Sequence, residues 1–184
     1  MNTRRWIGRV ALVAGIALTL GLWRADAGIA ISGGTQAQQA MGRWAEDRFR
    51  DAGIGIPSLD LQFHSERTGC NGRLGLFADG TAHFCGIHVN DLSRRTLMHE
   101  LAHAWIDSHV SVSLEVRFLR LRGLEAWNDH EVEWEQRGTE HAAEIMAWAL
   151  DGKGTGTELP SIPDNEPHRL ARAYQLLTGR QLPD

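Results

Sequence analysis

Apolar positions along this chain change period twice, and each change marks a different kind of element. In residues 36–52, Ala40, Trp44, Ala45, Phe49 and Ala52 recur at helical spacing, which predicts an amphipathic helix. Gly53-Ile54-Gly55-Ile56-Pro57 stops it. The period then drops to two: Leu59, Leu61 and Phe63 alternate with Asp60, Gln62 and His64, as in a half-buried strand. Two more short apolar runs, 74–77 and 82–89, flank Asp79-Gly80, the strongest hairpin signal in the chain. Three short antiparallel strands are therefore expected. Helical spacing returns at residues 94–109, behind the N-cap residues Asn90, Asp91 and Ser93. It recurs after Ser113, where Leu114, Phe118 and Leu121 share a face and Gly123 ends the run. Further helices are expected at about 135–150 and 166–178, the last with Leu170, Ala173, Leu176 and Leu177 on one face. The glycine-rich stretch 29–35 reads as a flexible lead-in, and 152–157 as a Gly/Thr linker. The pattern is that of an α+β fold: an N-terminal helix, a small antiparallel sheet, then a group of helices.

Composition narrows the class. With 184 residues, 42% hydrophobic and 23% charged, the chain is of ordinary make-up for one domain with a real core. A formal charge of −4 excludes the basic patch of a typical nucleic-acid binder. The N-terminus stands apart from the fold. Arg4, Arg5 and Arg9 precede an uncharged run from Val10 to Trp23, and Ala25-Asp26-Ala27 is a small-x-small cleavage pattern. Residues 1–27 therefore read as a secretory signal peptide and 28–184 as the domain. The run is too short for a stable membrane span. Thr3-Arg4-Arg5-Trp6-Ile7 is a loose form of the twin-arginine pattern, and its looseness favours the general secretory route. Loss of the signal removes four arginines and one aspartate, leaving 15 basic and 22 acidic residues and a net charge of −7. Cys70 and Cys85 are the only cysteines. An even count in an exported domain predicts a disulfide rather than two metal thiolates.

The chemistry is concentrated in Thr96-Leu97-Met98-His99-Glu100-Leu101-Ala102-His103-Ala104-Trp105. On a helix, His99 and His103 lie one turn apart on one face, so two imidazoles can converge on a zinc ion (Zn2+). Glu100 stands beside them, placed to take a proton from a zinc-activated water. A tetrahedral site then lacks one protein ligand. His109 has the spacing of the extended motif, but that arrangement needs a glycine where Ile106 stands, and a β-branched residue resists the turn. Glu140 is the better third ligand. With Glu144 it places two carboxylates one helical turn apart, among the small residues Ala142, Ala143 and Ala147. Glu144 can then accept the free N–H of a liganding imidazole, and the two glutamates can also exchange roles. His130, Arg137, His141 and Tyr174 are candidate oxyanion donors. Trp105 and Trp148 are expected in the core, and Trp127 and Trp134 at the rim of the cleft.

His-Glu-Leu-Ala-His followed by Glu140-x-x-Ala143-Glu144 resembles the zincin metallopeptidases of gluzincin type, over residues 82–150. The Arg-Gly-Thr-Glu-His-Ala-Ala-Glu-Ile stretch is also similar to uncharacterised exported metallopeptidases of GC-rich bacteria. The resemblance implies a minimal zincin-like fold and a secreted or cell-envelope zinc endopeptidase acting on peptide or protein substrates. It implies His99, His103 and Glu140 as ligands, Glu100 as general base, and Glu144 as the residue orienting a liganding histidine. At that last position the family more often has Asp or Asn. It also implies that residues 84–89, just before the motif helix, form an edge strand that pairs with an extended substrate. Two other functions fit the same residues: a non-catalytic, zinc-stabilised surface binding module, and a metallohydrolase of a cell-wall amide.

Overall fold

The computed structural model describes residues 28–151, 160 and 162–183. The expected signal peptide and the linker at 152–157 lie outside the described residues. Residues 29–33 are not a lead-in: Ile29–Gly33 is the first strand, β1. Its neighbouring glycines mask a short alternation in which Ile29 and Ile31 are half-buried beneath the first helix, α1 (Gln36–Asp51). Gly42 on α1 permits that approach, since a Cβ there would come within 2.9 Å of Ile31 and 3.0 Å of Leu61. Thr35 and Gln38 close a capping box at the start of α1.

The sheet is mixed rather than antiparallel. β2 (Leu59–Phe63) runs parallel to β1, because α1 carries the chain back between them. β3 (Gly75–Ala78) and β4 (Thr81–Phe84) form the hairpin foreseen at Asp79-Gly80. Both turn residues have positive φ, 51° and 74°, as the tight turn matching strand twist requires. β4 pairs in parallel with β2, so the order is β1-β2-β4-β3. The expected edge strand at 84–89 is therefore corrected. β4 is interior and ends at Phe84, and the edge strands are β1 and β3. Folding back through a two-residue turn leaves β3 only the outer side of β4, because β2 occupies the inner side.

One face of the sheet, with Leu59, Leu61, Phe63, Ala82 and Phe84, is buried against helices. Among these is α2 (Asp91–His109), capped by Asn90, whose side chain accepts from the Ser93 N–H at 2.9 Å. α3 (Val112–Arg122) ends on Gly123 in the left-handed conformation. α4 (Gly138–Leu150) and α5 (Pro167–Thr178) complete the helical layer. α4 starts three residues later than its periodicity indicates. The loop before it supplies backbone acceptors, with Gly138 N–H donating to Ala126 O and Thr139 N–H to Trp127 O, both at 2.9 Å. Trp105 and Trp148 are core residues, as expected. No helix among the described residues is long and apolar enough to cross a membrane.

The Cys70–Cys85 disulfide is formed and ties the loop after β2 to the end of β4 across 15 residues of chain. Closing a loop of that length stabilises by about 3 kcal/mol through the unfolded state. The double variant Cys70→Ala/Cys85→Ala is expected to lose about that much unfolding free energy in denaturant titration. It should keep its metal uptake, because neither cysteine lines the cleft described below.

Candidate metal centre

α2 presents Arg95, His99 and His103 at successive turns, and α4 presents Glu140 and Glu144. The helices meet antiparallel, so Arg95 faces Glu144 while His103 faces Glu140. Three donor atoms close a triangle. His99 Nε2 and His103 Nε2 are 3.0 Å apart, and Glu140 Oε2 lies 3.1 Å from the first and 3.2 Å from the second.

Protons alone do not account for this triangle. Both Nε2–H groups can donate to the one oxygen, but two donors then face each other across 3.0 Å. A cation satisfies all three atoms together. Ligands of a tetrahedral zinc stand roughly 3.3–3.4 Å from one another, so a small opening of the triangle admits the ion. His99, His103 and Glu140 can thus hold a metal, and they are the only such group of three among the described residues. His109 stands elsewhere: α2 runs unbroken through Ile106, and the His109 ring stacks on Trp105 at 4.8 Å.

Behind the triangle, His99 Nδ1 lies 3.0 Å from Glu144 Oε1, though short of the alignment of a full hydrogen bond. Glu144 Oε2 accepts from Arg95 Nη2 at 2.6 Å. Burial opposes a charge on His99, yet the Glu140 and Glu144 carboxylates outweigh it and raise its pKa to about 10. Burial likewise works against both carboxylates, but the histidines, and Arg95 for Glu144, hold Glu140 well below the usual range and Glu144 at about 2.

Glu100 is buried beside this metal-capable group, and desolvation pushes its pKa up despite the nearby histidines. The Phe77 backbone N–H donates to its carboxylate. Its place against β3 exists because residue 75 is glycine: a Cβ there would stand 2.6 Å from the Glu100 carboxylate oxygen.

The centre opens on a cleft of about 700 Å³. β3 forms one wall, the end of α2 with Ile106 and Asp107 another, and Trp127, His130 and Trp134 the rim. Trp134 is 39% exposed and stacks on the His99 ring at 6.0 Å. Of the four candidate oxyanion donors, His130 and Arg137 line this cleft. Arg137 Nη1 donates to His130 Nδ1 at 3.3 Å, which leaves the imidazole proton on Nε2. His141 is buried, with Nε2 donating to Glu135 O at 2.8 Å, and Tyr174 is enclosed in the core; neither reaches the cleft.

Neither protein-family models, nor curated proteins, nor solved structures match this chain. The site is therefore read from its own geometry. Three participants escape sequence reasoning. Arg95 is one turn before His99, a spacing that would have revealed it had the stripe been read backwards. Gly75 and the Phe77 N–H carry no local signal, since their role exists only once β3 lies against α2.

Because His99 in the metal-free protein keeps its proton up to about pH 10, an ion must displace it. If a divalent ion such as zinc binds here, its uptake near pH 7 should release about one proton, and affinity should rise roughly tenfold per pH unit between about 7 and 9. Calorimetry in buffers of different ionisation enthalpy measures this directly. A proton count near zero would show that His99 is already neutral.

Proposed function

We propose that the protein is an exported zinc-dependent endopeptidase of zincin-like design, as the resemblance in its motifs implies. One observation carries the reading: His99, His103 and Glu140 converge on a single point, with the Glu100 carboxylate buried beside it and facing the same cleft. A purely structural metal site has four protein ligands, whereas three leave a position open. The disulfide is in keeping with an oxidising, extracytoplasmic setting.

A zinc ion bound there supplies Lewis acidity and lowers the pKa of the attacking water. The remaining work falls to the chain. Glu100 takes the proton from the water and delivers it to the leaving amine. The rise in its pKa from desolvation suits both halves of that task. β3, at an edge of the sheet, lines the cleft, and an extended peptide can add beside it as a further strand. His130, with its proton on Nε2, donates to the carbonyl oxygen as negative charge develops. Gly75 keeps Glu100 within reach of the substrate by leaving it space against β3.

The full chain should bind about one zinc, and His99→Ala should abolish binding. Glu100→Gln should retain the zinc and lose roughly 10²–10⁴-fold in peptide hydrolysis, measured on a quenched-fluorescence peptide library. Hydrolysis at the wild-type rate in that variant would remove Glu100 from the mechanism. Gly75→Ala, which forces the carboxylate aside, should also bind zinc normally and cut poorly. Full activity there would mean that Glu100 works from another position.

A further inference from the structure

The role of Glu144 raises a mechanical question. A glutamate side chain turns about several bonds, so it is weakly fixed by its own backbone. It is also chemically equivalent to Glu140, one turn away on the same helix and as near to His99. Something must commit Glu144 to the outer side of His99 and leave Glu140 as the ligand.

We propose that Arg95 is that positioning residue: by gripping one oxygen of Glu144 it fixes the other against His99 Nδ1, and so sets both the identity of the third ligand and the tightness of metal binding. The inference rests on the metal-centre reading above. The two oxygens of Glu144 have separate partners: Oε2 is 2.6 Å from Arg95 Nη2, and Oε1 is 3.0 Å from His99 Nδ1. A carboxylate hydrogen-bonded at Oε2 to Arg95, with Oε1 held 3.0 Å from His99 Nδ1, is kept from swinging toward His99 Nε2, where the ion would lie. With an acceptor facing Nδ1, the proton that leaves when an ion binds would be the one on Nε2, the nitrogen on the side of Glu140 and His103. Arg95 can do this because it shares the stripe of His99 and His103 on α2, and because its side chain, 22% exposed, is largely shielded from competing water. A guanidinium suits the task better than an ammonium, having several donors in a fixed plane.

The test measures zinc affinity by chelator competition, and the visible spectrum of the cobalt-substituted full chain, in four proteins: wild type, Arg95→Met, Glu144→Gln and the double variant. Arg95→Met should weaken zinc binding roughly 10–100-fold and shift the cobalt bands, as loss of an outer partner does. In the Glu144→Gln background the same substitution should change affinity less than about twofold, because its effect passes through Glu144. Arg95→Lys, which keeps the charge, should recover part of the loss. If Arg95→Met does not fold, Arg95→Lys compared across the two backgrounds serves as the same cycle. Wild-type affinity and an unchanged cobalt spectrum in the Arg95 variants would overturn this inference alone. So would an equal loss in both backgrounds, which is the mark of a merely structural role. Absence of zinc binding by the wild-type chain would overturn the metal-centre reading, and this inference with it.

Discussion

The antiparallel contact of α2 with α4 is what the rest of the structure depends on. Along it, Arg95, Glu144, His99, Glu140 and His103 alternate between the two helices as a ladder of basic and acidic side chains. Their side chains are only 10–22% exposed, so each charge has lost most of its water and needs a partner. No single pair meets that need. Arg95 answers one carboxylate, and the proton on His99 answers the other, so the metal-free ladder is close to neutral. In the proposed reading, a divalent ion would enter at the point this proton leaves. The fold holds the three donors nearly in place without an ion, which is the preorganisation a metal site requires. Fully buried Ala142, Ala143 and Ala147 leave α4 slim enough to approach its neighbours closely.

The sheet contributes through a single edge. β1, β2 and β4 are a platform, whereas β3 meets the chemistry directly, accepting the Glu100 carboxylate over Gly75 and donating to it from the Phe77 N–H. The proposed base is thereby anchored to the strand proposed to hold substrate. An error in β3 register would shift every residue of the strand to the opposite face and place a side chain where Gly75 now stands. The Asp79-Gly80 turn sets that register, and the disulfide holds the strand that pairs with it.

What could be read in the sequence, and what could not, divides by the range of the interaction. Helices α1 to α5 follow from local periodicity and caps, with shifts only at their ends. The metal-capable group of His99, His103 and Glu140 could be foreseen because two members sit on one helix and the third shares a small-faced helix with Glu144. The sheet departs from the local pattern wherever pairing is non-local. β1 is five residues long between glycines, and its parallel partner lies beyond a whole helix. A local pattern cannot distinguish a parallel from an antiparallel neighbour. The same limit hid the edge: periodicity locates β3 and β4 but not which side of β4 belongs to β2. Tyr174 and His141 were candidates by chemistry alone, and burial removed them from the cleft.

The rim differs from the centre in how it is built. His99, Glu100, His103 and Glu140 stand on helices, while Trp127, His130 and Trp134 stand on the irregular segment between α3 and α4. Such segments ordinarily vary and move independently of the scaffold. This one is held at both ends by the helix that carries Glu140. Ala126 and Trp127 accept from the first N–H groups of α4, and Arg137 donates back to the carbonyls of His130 and Val132. Gly138 lets the Trp127 ring lie against the start of α4, where a Cβ would stand 2.5 Å away. Trp134 completes the connection by stacking on His99. The rim is therefore tied in position both to the His99 ring and to the start of the helix that carries Glu140.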